Sequence, residues 1–129
     1  MPVAIRSLAR QKPPRIAWET AKNKILGTRY ELSLVFTDSK YMKTLNRTYR
    51  KKSATTNVLA FPLGKNEGEI FMDLTVARRE APERQLSYQQ YVRYLYIHAL
   101  LHLKGFDHDT KRAGARMDNE EKKWLNALR

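Results

Sequence analysis

Apolar and polar residues in the first 37 positions follow two different periods. Residues 3–5 alternate weakly, which indicates a short strand. Residues 16–26 then carry apolar side chains at helical spacing, and this stripe stops at Gly27, so the pattern predicts a helix. Residues 30–37 (YELSLVFT) alternate again and are rich in aromatic and β-branched residues, which is typical of a strand with one buried face.

The middle of the chain predicts a helix followed by a β-hairpin. Asp38 is suited to cap a helix that ends in the polar, basic stretch of residues 50–53 (RKKS). Residues 57–61 (NVLAF) form a short apolar run that the following proline closes, and residues 69–74 form a second run. Because residues 64–68 between them have the composition of a turn, the two runs are predicted to be antiparallel strands.

The remainder of the chain predicts three helices. Thr75 is suited to cap a helix that runs to about Leu86, and Ser87 is suited to cap a longer one. Gly105 marks the expected end of that longer helix, because glycine adopts the left-handed conformation that ends helices. Residues 112–129 place apolar side chains on a helical period with mixed charges on the other faces, which predicts a final helix.

These elements define the expected fold class. Helices at both ends of a few strands, with a hairpin between them, indicate an α+β protein in which a small mixed β-sheet packs against several helices. The 129 residues are enough for one ordinary core, and the chain contains neither a repeat nor a linker composition. We therefore expect a single layered domain over residues 1–129.

Composition narrows the functional classes. The chain has no cysteine, which excludes disulfides and thiolate catalysis and leaves histidine nitrogen and carboxylate oxygen as metal donors. No apolar run is long enough to span a membrane, and the first residues lack a signal-peptide pattern, so a cytoplasmic location without membrane association is expected. The net charge of +12 favours a polyanionic partner, above all nucleic acid, although solubility alone also accounts for such a charge.

The histidines carry the main chemical signal. All three in the chain, His98, His102 and His108, fall within the segment HALLHLKGFDH. Histidines four residues apart on a helix share one face, and a left-handed Gly105 is expected to turn the chain so that His108 joins them. Three imidazoles favour one Zn²⁺ ion with a position open for water, although other divalent transition metals also suit such a site. This arrangement is typical of hydrolases.

Ala99 separates this segment from the zinc peptidases. The spacing equals that of the pattern H-E-x-x-H-x-x-G-x-x-H, but Ala99 occupies the position of its glutamate base. A methyl group cannot accept a proton, so peptidase chemistry is disfavoured. Asp107 and Asp109 are nearby candidates for a base, and a hydrogen bond to a histidine or a helix cap explains them as well.

Two segments resemble the YbeY family of zinc-dependent endoribonucleases, which act as rRNA maturation factors. Residues 45–63 (LNRTYRKKSATTNVLAFPL) are similar to the family segment L-N-x-x-Y-R-x-K-x-x-x-T-[DN]-V-L-S-F-P, and the histidine segment is similar to the family's metal motif. EGEIFMDL resembles the family's G-D-I strand. The chain departs from the family at four positions that are not metal ligands: Ser53, Ala60, Glu69 and Ala99.

The resemblance implies roles for individual residues. His98, His102 and His108 are implied as the zinc ligands, and Arg50 as a functional arginine near the metal. A guanidinium can hold a phosphodiester through two hydrogen bonds and stabilise the charge that develops at phosphorus, although Arg50 is also explained as a solvated charge after a helix. Lys51 and Lys52 are interpreted as general phosphate contacts rather than catalytic groups.

The resemblance also implies a biological role. The implied role is a single-strand-specific, zinc-dependent endoribonuclease that acts in 16S rRNA 3′-end maturation, ribosome assembly and rRNA quality control. The implied partners are ribosomal RNA and, as further candidates, a ribosomal subunit or assembly proteins, whereas the sequence leaves the oligomeric state open. One alternative is a non-catalytic RNA-binding assembly factor with a structural zinc. A metallopeptidase ranks last, because it needs the base that Ala99 does not supply.

Overall fold

The computed structural model of this protein describes residues 2–50 and 57–128. Strands and helices alternate as far as a β-hairpin that ends at Asp73, and the elements described after it are helical. In chain order they are β1 (Ala4–Ser7), α1 (Trp18–Leu26), β2 (Glu31–Thr37), α2 (Ser39–Arg50), β3 (Val58–Gly64), β4 (Glu67–Asp73), α3 (Leu74–Glu80), a 3₁₀ turn (Pro82–Arg84), α4 (Tyr88–Lys104) and α5 (Lys111–Ala127).

The strands form one mixed sheet in the order β1-β2-β4-β3. β1 and β4 lie parallel to β2 on either side of it, and β3 is antiparallel to β4. Parallel neighbours require crossover connections, which α1 and the α2 region supply, whereas the β3–β4 hairpin needs only a tight turn. The α+β class with a small mixed sheet is therefore confirmed, and so is the hairpin.

Helices cover both faces of the sheet. Leu34 and Phe36 of β2 point into the larger core together with α1 and α4, whereas Val35 packs on the other side against Met42 of α2. The expectation that this strand has only one buried face is wrong. The cause is α2, whose apolar side covers the second face and makes β2 a central strand buried on both sides.

Predicted boundaries of β3, β4 and α3 are also wrong, and β4 begins at Glu67 rather than at residue 69. β3 does not close at Pro62 but continues to Gly64; because β3 is an edge strand with β4 as its only described neighbour, a residue without an N–H is tolerated there. Thr75 is not the cap of α3. Asp73 takes that position, with its Oδ1 accepting a hydrogen bond from the Val76 N–H at 3.0 Å, and α3 ends at Glu80.

Other local signals are confirmed. Asp38 accepts a hydrogen bond from the Tyr41 N–H at 2.9 Å at the start of α2, and Ser87 and Gln90 form a reciprocal capping box at the start of α4. Gly105, with φ 115°, ends α4 in the left-handed conformation. None of the described helices has the length and apolar composition that crossing a membrane requires.

Candidate active site

His98 and His102 lie on α4, one helical turn apart. Packing fixes this part of the helix, because Ala99, Leu100 and Leu101 between the two histidines are buried in the main core. His98 is half-buried and His102 is exposed, so both rings lie at the boundary between core and solvent. The helix therefore presents two imidazoles on one side, as the four-residue spacing predicts.

Gly105 redirects the chain toward His108. Its N–H donates to the carbonyls of His102 and Leu101, which closes the last turn of α4, and the chain then reverses into α5, which packs against α4. The rings of His98 and His108 lie 5.9 Å apart between centroids with an interplanar angle of 16°. The predicted return of His108 to the side of α4 that carries His98 is thus present.

All three histidines line one pocket of about 450 Å³. One wall is the edge strand β3, and the others are formed by α4, the turn after it and Met117 of α5. The lining residues are Val58, Leu59, Ala60, Phe61, His98, Ala99, His102, Asp107, His108, Asp109 and Met117. Residues 58–61 and the histidine segment are distant in sequence, and each belongs to a motif that resembles the same family. They therefore meet at one site.

A buried carboxylate holds the ring of His98. Glu121 of α5 is only 6% exposed, and its Oε1 lies 2.5 Å from Nδ1 of His98. A carboxylate at Nδ1 favours the tautomer with the proton on that atom and leaves Nε2 as a lone-pair donor. Sequence reasoning missed Glu121, because nothing in the charge pattern of α5 distinguishes it from the less buried carboxylates Glu120 and Asp118.

His108 is more exposed and has a different partner. Its Nε2 lies 3.1 Å from Oδ1 of Asp118, and both side chains are about half exposed, so solvent weakens this pair. The backbone of Gly114 passes close to the same ring: a Cβ at this position would lie 3.0 Å from Cδ2 of His108. Gly114 therefore provides the space in which the His108 ring lies.

The donor set fits a transition-metal ion in its chemistry. Three imidazoles share one pocket, and the contact of His98 with Glu121 is the carboxylate–histidine arrangement common among metal ligands. Within residues 2–50 and 57–128, however, no three His, Cys, Asp or Glu side chains converge as a formed metal site. A metal ligated by His98, His102 and His108 consequently stays a prediction.

The aspartates after Gly105 help to shape the turn. Oδ1 of Asp107 accepts a hydrogen bond from the Asp109 N–H at 3.0 Å, and Thr110, not an aspartate, caps α5. Ala99 is 1% exposed and packs under the pocket. The expectation that these aspartates cap a helix is therefore wrong, and Asp107 instead accepts a hydrogen bond within the turn that precedes α5.

Arg50 is the last residue of α2, but its side chain lies outside the described part of the structure, as do Lys51 and Lys52 altogether. Their predicted roles remain predictions.

Asn57, the residue before β3, makes two side-chain hydrogen bonds. Its amide donates to Oε1 of Glu80 and to the Tyr91 hydroxyl, each at 2.8 Å. Burial and the adjacent Glu80 raise the pKa of Tyr91 to about 12, so its hydroxyl stays protonated. Asn57 thus joins the start of β3 to α3 and α4.

Comparison with known proteins places this geometry in a family context. The family model described as endoribonuclease YbeY matches residues 7–129. Relatives named endoribonuclease YbeY include one from Bartonella henselae, 36% identical over 76% of this chain and 68% of the relative. Another, from Campylobacter jejuni, is 38% identical over 70% and 72%, and one from Pelotomaculum thermopropionicum is 35% identical over 88% and 82%.

A structural comparison supports the fold. A Thermotoga maritima protein whose structure was determined in solution superposes with a TM-score of 0.67, covering 98% of this chain and 88% of the other. The sequence identity of 22% is low, so this likeness concerns the fold.

Proposed function

Since the chain belongs to the YbeY family and is thereby a hydrolase acting on RNA phosphodiester bonds, we propose that it is a zinc-dependent endoribonuclease specific for single-stranded RNA. The observation that carries this proposal is the common pocket of His98, His102 and His108 beside the edge strand β3. Its volume of about 450 Å³ suits one unpaired nucleotide rather than a duplex, which supports single-stranded segments as the substrate.

The proposed roles follow from the chemistry of each side chain. His98, His102 and His108 hold the zinc ion, and Glu121 keeps Nε2 of His98 available by binding its Nδ1. A zinc ion bound there would act as a Lewis acid on a phosphoryl oxygen and lower the pKa of water. Arg50 binds the scissile phosphate through its guanidinium and stabilises the charge that develops at phosphorus.

The proton released by the nucleophile needs an acceptor other than residue 99. Ala99 offers only a buried methyl group, which also disfavours the metallopeptidase alternative. The carboxylates of Asp107 and Asp109 line the pocket, and we propose them as candidate acceptors together with the substrate phosphate.

The physiological substrate is proposed to be ribosomal RNA. The role implied by the family resemblance is 16S rRNA 3′-end maturation in the cytoplasm, together with ribosome assembly and rRNA quality control. The net charge of +12 supports a polyanion as the substrate and a ribosomal subunit as a further partner. The alternative of a non-catalytic assembly factor is disfavoured by membership in a family of endoribonucleases.

An end-group assay tests this function. Purified protein is incubated with zinc and with rRNA-derived RNA in single-stranded and duplex form, and the cleaved ends are identified. We expect cleavage of the single strand only. Water attack is expected to leave a 5′-phosphate and a 3′-hydroxyl, whereas 2′,3′-cyclic phosphate ends would contradict hydrolytic attack. Tight RNA binding without cleavage would instead favour the assembly factor.

Removal of the Glu121 carboxylate, which contacts His98, is expected to weaken metal binding. Glu121→Ala should lower zinc affinity about 10–100-fold, because the ring loses the partner that fixes its tautomer and orientation. A competition titration with a chromophoric chelator measures this. Glu120→Ala, at the more exposed neighbouring carboxylate, is the matched control and should leave affinity unchanged. Equal affinity in both variants would exclude the proposed role of Glu121.

Gly114→Ala is expected to separate stability from metal binding. Alanine should stabilise α5 by up to about 1 kcal/mol through helix propensity. The added methyl group nevertheless forces the His108 ring to move, so zinc affinity should fall. Thermal denaturation of the metal-free protein and zinc titration measure the two effects. Gly64→Ala, where the nearest atom is 3.9 Å away, is the control for affinity; an unchanged zinc affinity in Gly114→Ala would argue against His108 as a ligand.

A further inference from the structure

The outward face of α2 carries an uninterrupted positive charge. Ser39–Arg50 contains no Asp or Glu, and Lys40, Lys43 and Arg47 are exposed at positions three and four residues apart, so they form one stripe along the helix. None of the three forms an ion pair with another described residue. The stripe therefore presents its full charge to solvent.

This stripe differs from the basic residues of α5. On α5 the cations are interspersed with Asp118 and Glu120, which are more exposed than Glu121, and Lys123 pairs with Glu120 at 3.8 Å. An alternating face attracts a polyanion weakly, because neighbouring carboxylates repel the same phosphates. The three cations of α2 have no carboxylate between them, and such a series matches the regular charges of a nucleic-acid backbone.

Aromatic rings connect this helix to the histidine pocket. Phe61 of β3 lines the pocket, and its ring lies 5.9 Å from that of Phe71 in β4. The Phe71 ring in turn lies 6.3 Å from that of Tyr41, which is 43% exposed beside Lys40 at the start of α2. Phe71 is buried between the other two rings, so the exposed Tyr41 is a near neighbour of the pocket-lining strand β3.

We propose that single-stranded RNA leaving the histidine pocket crosses β3 and lies along α2, with Lys40, Lys43 and Arg47 contacting successive phosphates and Tyr41 stacking on a base. Exposed aromatic rings beside a row of cations are the usual means by which proteins hold single strands without reading their sequence. The surface extends the substrate-binding region beyond the reacting phosphate. This inference rests on the proposed endoribonuclease function for its choice of ligand.

Binding of oligonucleotides of two lengths tests the surface. The probes are fluorescein-labelled 2′-O-methyl oligouridylates of 4 and 12 nucleotides, which lack the 2′-hydroxyl and are checked for integrity after each titration. The test variant is Lys40→Ala/Lys43→Ala/Arg47→Ala. The control, Lys24→Ala/Arg29→Ala/Lys65→Ala, removes the same charge from other exposed positions. Circular dichroism establishes that both variants are folded.

The expected results differ between the probes. For the 12-mer, the α2 variant should lose at least about tenfold in affinity, and the slope of log K against log salt should decrease by about 2, since each phosphate contact contributes about 0.7. The 4-mer should bind both variants with similar affinity. Tyr41→Ala should weaken 12-mer binding about fivefold, whereas Tyr41→Phe should restore it, because the phenyl ring still stacks.

Two outcomes would overturn the proposal. One is an equal loss of 12-mer affinity in the α2 variant and the control, and the other is the absence of measurable 12-mer binding by the wild type. A separate cleavage assay on unmodified RNA distinguishes failure of the α2 surface from failure of the endoribonuclease function. If the wild type cleaves RNA while the α2 variant and the control bind the 12-mer with equal affinity, the proposal for α2 is wrong and the endoribonuclease function is not affected. If length-dependent binding depends on α2 but no RNA is cleaved, the endoribonuclease function fails and the surface stands.

Discussion

Replacing His102 by alanine is expected to remove bound zinc and to lower the rate of RNA cleavage about a thousandfold or more, because a Lewis acid contributes several kcal/mol to phosphoryl transfer. The protein should stay folded, since His102 is exposed and the core contacts of this turn are made by its buried neighbours Leu100 and Leu101. Elemental analysis and single-turnover cleavage of a single-stranded rRNA fragment measure the two effects.

The control for this substitution is on the same helix. Lys104 is exposed in the last turn of α4 and does not line the pocket, so Lys104→Ala should retain both metal and cleavage. Loss of cleavage with full zinc content in His102→Ala would mean that His102 acts on the substrate rather than on the metal. Undiminished cleavage would exclude His102 from the site altogether.

The second large effect is expected at Arg50. Arg50→Ala should lower the rate of cleavage about 10²–10³-fold, as the loss of one group that stabilises transition-state charge does in other enzymes. Zinc content should not change, because arginine is not a metal ligand. Arg50→Lys should recover only part of the rate, since an ammonium group cannot form the two parallel hydrogen bonds of a guanidinium.

Rates at saturating RNA separate catalysis from binding in this variant. A lower kcat at constant KM is the result expected of a group that acts in the transition state. Arg29→Ala, an exposed arginine that does not line the histidine pocket, is the matched control. If Arg50→Ala raises KM and leaves kcat unchanged, Arg50 only binds RNA and its proposed catalytic role is wrong.

Local signals in the sequence predict the helix that carries the site. Ser87 and Gly105 mark the beginning and end of α4, because capping depends on residues within one turn of each other. The turn of the chain at Gly105 then brings His108 to the pocket that His98 and His102 also line. These features can be predicted from residues that lie close together in the sequence.

Contacts between distant residues are less accessible from sequence. Glu121 lies 23 positions after His98, and its contact depends on how α5 packs on α4. A retrospective signal exists: Glu121 follows Met117 by four residues and shares its buried face, which is unusual for a carboxylate. The burial of β2 on both faces likewise depends on where α2 packs, which alternation in YELSLVFT cannot show.

The central claim is that this chain cleaves single-stranded RNA with a metal held by His98, His102 and His108. The most direct test compares cleavage of one single-stranded rRNA fragment by zinc-loaded protein, by protein stripped with a chelator, and by stripped protein to which zinc is returned. We predict that cleavage stops on stripping, while circular dichroism stays unchanged, and that one equivalent of zinc restores it. Cleavage at an undiminished rate by the stripped, folded protein would contradict the claim.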